Sequence, residues 1–206
     1  MTRWVVPVTR GAAVVVTGTL AVFAVRALRS QGPASAKLQA DTVIDLNYEA
    51  PVDVDTASLA GPRQPIFYRH DVHAGQYRMD CRYCHYNVER SPSPGLPSLA
   101  SCMGCHLIVG SDNPEVQKLR DAVAAKQPVE WVEVHRLSQF VHFSHARHVV
   151  AGELNCKECH GQVNRMPQVY QFASLKMGWC IACHKTKEYK GQPGRPVTTD
   201  CSACHY

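Results

Sequence analysis

Charge is scarce in this sequence of 206 residues: Asp, Glu, Lys and Arg make up 19%, and the formal net charge is +5. That balance excludes an acidic disordered chain and makes no case for a nucleic-acid-binding surface. Long apolar runs are scarce too; the one that stands out is GAAVVVTGTLAVFAV, between Arg10 and Arg26. Cysteines free for a structural disulfide are missing altogether, because all ten fall inside five copies of one short pattern. A disulfide-stapled fold is therefore excluded, and the placement of those cysteines governs the reading.

The five copies are Cys81-Arg-Tyr-Cys84-His85, Cys102-Met-Gly-Cys105-His106, Cys156-Lys-Glu-Cys159-His160, Cys180-Ile-Ala-Cys183-His184 and Cys201-Ser-Ala-Cys204-His205. Each reads C-x-x-C-H. Two thiols at i and i+3 reach the two vinyl groups of one porphyrin and form thioethers, and the next residue offers an imidazole to the iron. Zinc knuckles also use C-x-x-C, but zinc does not require His directly after the second Cys. Histidine is only 11 of 206 residues, so five such placements are not a coincidence of composition. The pattern points to five covalently bound haem c groups, with the ten cysteines as attachment residues and the five motif histidines as proximal ligands. Attachment of this kind takes place outside the cytoplasm, so the motif-bearing region is expected to be exported.

Extended back to Trp4 and on to Leu28, the apolar run covers 25 residues. As a helix that is about 37 Å, against a bilayer core of about 30 Å. Arg10 and Arg26 would reach the two interfaces, and Trp4 suits an interfacial anchor. The rival is a cleaved signal peptide with Ala34-Ser35-Ala36 as its processing site. Arg26 and Arg29, directly after the run, argue against it. The expectation is a retained transmembrane anchor over 1–30, single-pass in the cytoplasmic membrane, with the haem region on the periplasmic side.

Residues 31–65 hold Gly32-Pro33, Pro51, Gly61-Pro62 and Pro65 without any period, which reads as an extended linker or a strap laid over a partner. Residues 66–206 leave roughly 28 residues per porphyrin, too few for an ordinary apolar core. The cofactors themselves would fill the interior. The expected fold is mostly α and irregular, a compact multihaem domain of short motif-bearing helices with little or no sheet. Turns such as Ser91-Pro92-Ser93-Pro94-Gly95 and Gly191-Gln192-Pro193-Gly194 would join the helices. The motifs divide into a pair at 66–106 and a trio at 156–206, parted by an insert at 107–155. A repeat supports the division. His70-x-x-His73 and His145-x-x-His148 each stand seven residues before a motif cysteine, and an aromatic leads each: Phe67 or Tyr68 in one, Phe143 in the other. H-x-x-H-x7-C-x-x-C-H thus occurs twice, as in a duplicated module.

A low-spin electron-transfer iron needs a second axial ligand. Six histidines lie outside the motifs: His70, His73, His135, His142, His145 and His148. The four repeated ones are expected to be distal ligands, His135 in the insert is expected to be the fifth, and His142 is the spare. Met166 and Met177 are weaker candidates, since a thioether there more often packs on porphyrin. A ferric bis-His haem with two propionates carries about −1. The basic residues are then mostly propionate partners.

The run Val134-His135-Arg136-Leu137 leads into Val141-His142-Phe143-Ser144-His145-Ala146-Arg147-His148, and Leu175-Lys176-Met177-Gly178-Trp179-Cys180 opens the fourth motif. With the N-terminal helix, this order resembles the membrane-anchored pentahaem cytochrome c subunit of alternative complex III. The H-x-x-H modules are similar to the cytochrome c3/c7 class. Two departures are Phe67, three residues before His70, and His142, where that family has Tyr. The resemblance implies an electron-transfer subunit, not itself an enzyme, of a quinol-oxidising respiratory or photosynthetic complex. Its partners would be integral quinol-site subunits, an iron–sulfur subunit and a periplasmic acceptor such as a monohaem cytochrome or a copper protein. An alternative is a self-sufficient membrane-anchored multihaem quinol dehydrogenase feeding a periplasmic reductase. A nitrite or hydroxylamine oxidoreductase would need an open iron position, and all five motifs end in His.

Overall fold

Three of the five motifs start a helical turn at their first cysteine, in each case after a residue that caps it. Asp80 accepts from the Arg82 N–H at 2.8 Å and opens α1, Cys81–Cys84. Asn155 and Glu158 close a capping box at the start of α4, Cys156–His160. Asp200 accepts from the Ser202 N–H at 2.8 Å ahead of a 3-10 turn, Cys201–Ala203. The second motif sits one turn into α2, Leu99–His106, capped by Ser98. The fourth lies in α5, Met177–Thr186. The insert supplies α3, Pro114–Ala125, with Asn113 as cap and Pro114 in the first turn, where its missing N–H costs nothing.

These elements belong to a computed structural model that describes residues 47–189 and 191–206. The fold is helical and irregular, as the sequence leads one to expect. Among the described residues the extended pairing is a single antiparallel bridge between Glu188 and Pro196. The anchor expected over 1–30 lies outside the described residues. No helix among the described residues is long and apolar enough to cross a membrane.

Each H-x-x-H segment runs into a wide π-helical turn, Asp71–Gln76 in the first copy and Arg147–Ala151 in the second. Such turns favour functional positions because they re-aim side chains within a helix. The first is covered by the 3-10 turn Val163–Arg165. Gly75 permits that contact: a Cβ there would meet Asn164 O at 2.3 Å. The described part of the expected strap lies on its own chain. Ala50 N–H donates to Gln76 Oε1 at 3.3 Å, Arg69 Nη2 to Pro51 O at 3.0 Å, and Gln168 Nε2 to Ala60 O and Gly61 O at 3.0 and 2.9 Å.

Among the described residues few apolar side chains are buried: Ile66, Val88, Val116, Leu119, Val149, Met166 and Ala173. Polypeptide alone thus makes only a thin apolar interior, which suits a chain arranged around large flat cofactors. Asp71 is fully buried and pairs with Arg69, whose Nε lies 2.7 Å from Asp71 Oδ1.

Candidate haem-attachment and ligand sites

The two H-x-x-H segments repeat each other in the packing of their rings. Tyr68 packs parallel to His73, ring centres 4.4 Å apart, and edge-on to His70 at 4.7 Å. Phe143 does the same to His148 at 4.3 Å and to His145 at 4.9 Å. Tyr68, not Phe67, is therefore the aromatic that matches Phe143. His73 Nδ1 donates to Arg69 O and His148 Nδ1 to Ser144 O, both at 2.8 Å. Arg78 and Glu153, each three residues before a motif cysteine, both adopt positive φ, 54° and 48°.

The histidines meet in pairs. His73 faces His106 with ring centres 6.0 Å apart, His145 faces His160 at 6.2 Å, and His148 faces His184 at 6.1 Å. An iron held by two imidazole nitrogens at about 2 Å each separates the ring centres by about 6 Å. The spacing is too long for direct ring contact and right for a metal between them. His70 lies within electrostatic range of His85. Each H-x-x-H segment therefore addresses two motifs: the first copy looks to motifs one and two, the second to motifs three and four. This is the fit expected of axial pairs, and the residues present suit haem c.

Except in His70, whose buried Nδ1 has no hydrogen-bond partner, and in His160, Nδ1 of these rings donates to a backbone carbonyl, which leaves Nε2 for a metal. His85 donates to Gly95 O at 2.8 Å, His106 to Val109 O at 3.0 Å, His184 to Thr198 O at 2.7 Å and His205 to Phe140 O at 2.9 Å. His145 donates to Pro92 O at 2.7 Å. One turn, Ser91–Gly95, thus orients a histidine of each module. Burial, with His85 and His73 nearby, lowers the His70 pKa to about 4. Burial, with His135 and His145 nearby, likewise lowers that of His160 to about 4. Burial also lowers His73 and His148. The neutral imidazole so favoured is the form that binds iron.

The remaining two histidines outside the motifs belong to none of these pairs. His135, expected from sequence to cap an iron, has its Nε2 3.2 Å from Nδ1 of His160, with ring centres 4.3 Å apart. It stands against the third motif, whose His160 already faces His145. His142, expected to be the spare, lies beside the fifth motif. Its N–H donates to Cys204 O at 2.8 Å and its ring packs on Tyr206 at 4.1 Å. Met166 is buried beside Gly161, and Met177 is exposed at the start of α5.

The cysteine pairs form a row that does not follow sequence order. Cys102 of the second motif lies within electrostatic range of Cys84 of the first. Cys81 and Cys156 lie close to each other, which brings the first motif beside the third. Cys159 lies within electrostatic range of Cys180 and Cys183, and Cys180 within that of Cys204. The order is second, first, third, fourth, fifth. Tetrahedral zinc would gather four donors at one point. Among the described residues no group of three or more His, Cys, Asp or Glu is gathered as a metal cluster.

Residues 141–206 match the family described as cytochrome c7 and related cytochrome c. The chain is also 31% identical over 161 residues to the menaquinone reductase multihaem cytochrome c subunit of Nitratidesulfovibrio vulgaris. That alignment covers 68% of this chain and 74% of the relative.

Proposed function

This chain belongs to the family of multihaem cytochrome c subunits that includes that menaquinone reductase component, and from that membership we propose a pentahaem electron relay within a membrane-bound quinol-oxidising complex of the alternative complex III type. The reading includes an anchor at residues 1–30, a haem region on the periplasmic side, integral quinol-site and iron–sulfur partners, and a periplasmic cytochrome or copper protein as acceptor. Haem c, when bound, supplies a reversible one-electron iron couple.

The chain's own residues do the rest. Cys81 and Cys84, Cys102 and Cys105, Cys156 and Cys159, Cys180 and Cys183, and Cys201 and Cys204 would hold the five groups. His70 and His85, His73 and His106, His145 and His160, and His148 and His184 would hold four of the irons in pairs. His205 would hold the fifth, and His142 packs beside that motif. Backbone carbonyls on Nδ1 fix most of these imidazoles in one orientation, His70 and His160 excepted, so little rearrangement would accompany a change of charge. With two histidines at each of the first four sites, those irons would offer a substrate no open position.

The observation that supports this most strongly is the spacing of three His–His pairs at 6.0, 6.2 and 6.1 Å. The test is protein isolated from membranes with its partners. Its intact mass is expected to exceed the bare chain by five haems, with low-spin ferric signals throughout. A mass short of five, or a dominant high-spin signal that binds cyanide, overturns the reading.

A second direction of flow has its own support, because the relative's name is that of a quinone-reducing complex. If donor-reduced complex reduces added menaquinone faster than menaquinol reduces the haems, this chain serves reduction. Isolated subunit that is reduced by a quinol analogue without partners would instead favour the self-sufficient dehydrogenase.

A further inference from the structure

We propose that the turn Ser91–Gly95 couples the first and third sites: its backbone carbonyls hold one axial imidazole at each, so Pro92 and Gly95 are positioning residues for two irons at once. The proposal rests on the reading above that His85 and His145 are axial ligands.

The sites differ in what holds their imidazoles. At the second, His73 donates to Arg69 O and His106 to Val109 O. At the fourth, His148 donates to Ser144 O and His184 to Thr198 O. Both rings of each of these pairs are fixed by carbonyls, and neither pair uses the turn. At the first and third sites, among the described residues, one ring of each pair has such a carbonyl. Nδ1 of His70 has no partner, and Nδ1 of His160 lies against the His135 ring. What remains is His85 on Gly95 O at 2.8 Å and His145 on Pro92 O at 2.7 Å. Those two acceptors belong to one turn.

The turn is built to keep one shape. The rings of Pro92 and Pro94 restrict φ to about −65°. Gly95 has φ 73°, which glycine adopts without strain. Ser93 N–H donates to Ser91 Oγ at 3.3 Å and Gly95 N–H to Ser93 Oγ at 3.4 Å. The turn is also tied to the main chain of both modules. Asn87 N–H donates to Pro94 O at 3.3 Å, His145 N–H to Pro92 O at 3.1 Å and Ala146 N–H to Ser91 O at 3.2 Å. Pro92 O thus takes both the backbone and the ring N–H of His145, one for each lone pair. An acceptor on Nδ1 sets the plane of an axial ring and its basicity toward iron. A change in the turn therefore reaches both irons, and these sites are neighbours through Cys81 and Cys156.

The test is electron paramagnetic resonance of the ferric full complex carrying Gly95→Ala. A Cβ there would meet Asn87 Nδ2 at 3.5 Å, an ordinary contact, so the change acts through the backbone conformation. Two low-spin signals of this chain are expected to shift together while the others stay. They are assigned with His70→Met and His145→Met, each of which replaces one ligand of one site. Gly95→Asn, a residue that accepts positive φ, is expected to bring both signals back. A shift of one signal alone, of all of them, or of none would overturn the coupling, while the pentahaem reading, judged by mass, stood. A wild-type complex short of five haems would instead sink that reading and the proposal with it. Should Gly95→Ala fail to assemble, Pro92→Ala gives a second measurement, since it frees one φ and keeps the carbonyl. The same two signals are expected to broaden, and wild-type widths at both refute the turn as their common support.

Discussion

The two H-x-x-H modules share their local geometry and differ in everything that surrounds it. In both, an aromatic two residues before the first histidine braces the pair, a π-helical turn follows, and a residue of positive φ leads into a capped cysteine. Around the first copy the chain closes in. Asp71 is fully buried against Arg69, and Gly75 lies under Asn164 and Tyr48. Around the second copy the same places are Ala146 and Val150, and Val150 is 53% exposed. The spacing of ligands is thus set by the motif, and the environment of each site is set by one or two residues beside it.

Breaking the buried ion pair tests that division most strongly. Asp71→Ala leaves the Arg69 guanidinium, itself mostly covered, without its carboxylate. A loss of about 3 kcal/mol is expected, because an unpaired charge in a closed site is costly. Ala146→Ser at the matching place of the second copy should change stability by less than about 0.5 kcal/mol. Denaturant unfolding of the holoprotein checks both. Equal losses at the two positions would mean that the modules are not differently supported.

The matching glycine comes next in size. A methyl at Gly75 would stand 2.3 Å from Asn164 O and 2.7 Å from a ring carbon of Tyr48, so the π-helical turn and the 3-10 turn above it must part. Gly75→Ala is expected to cost about 2 kcal/mol by overpacking. Val150→Ala, on the open copy, should cost less than about 0.5 kcal/mol. Thermal unfolding of the two variants side by side reads the contrast. A neutral Gly75→Ala would show that the cover over the first copy is loose.

Much of this was legible in the residues. The duplicated module, the short helices, the near absence of sheet and the turn at Ser91–Gly95 follow from motif spacing and turn chemistry. The two apparent departures, Phe67 and His142, turn out to be one position in the two copies, three residues ahead of His70 and His145. Matching the copies residue by residue would have singled out Tyr68 as the brace. Two things were not legible. The row of cysteine pairs runs second, first, third, fourth, fifth, because contact between Cys81 and Cys156 depends on how the modules pack, which no local pattern encodes. The place of His135 beside His160 was hidden for the same reason: a count of ligands against irons assigns it a metal and says nothing of which side chain it meets.

The smallest contrast lies in the caps. Asp80 and Asn155 occupy the same place, but only Asp80 titrates. Hydrogen bonds from the Arg82 guanidinium hold its carboxyl below the usual carboxylate range. A depressed folded pKa means that this contribution to stability is complete above the unfolded value of about 3.9. It is lost as pH falls through the lower folded value. Asn caps a helix about as well as Asp. Asp80→Asn should therefore differ from wild type at pH 7 by at most about 1 kcal/mol, the value of an exposed ion pair. The difference should shrink toward zero as pH falls below about 4, since the two caps then both present neutral groups. Melting temperatures of wild type and Asp80→Asn between neutral pH and pH 2.5 measure it, with all other titrations cancelling in the difference. A gap that stayed constant down to the lowest pH would show that Asp80 acts through shape alone, and that the charge in the first copy adds nothing the second copy lacks.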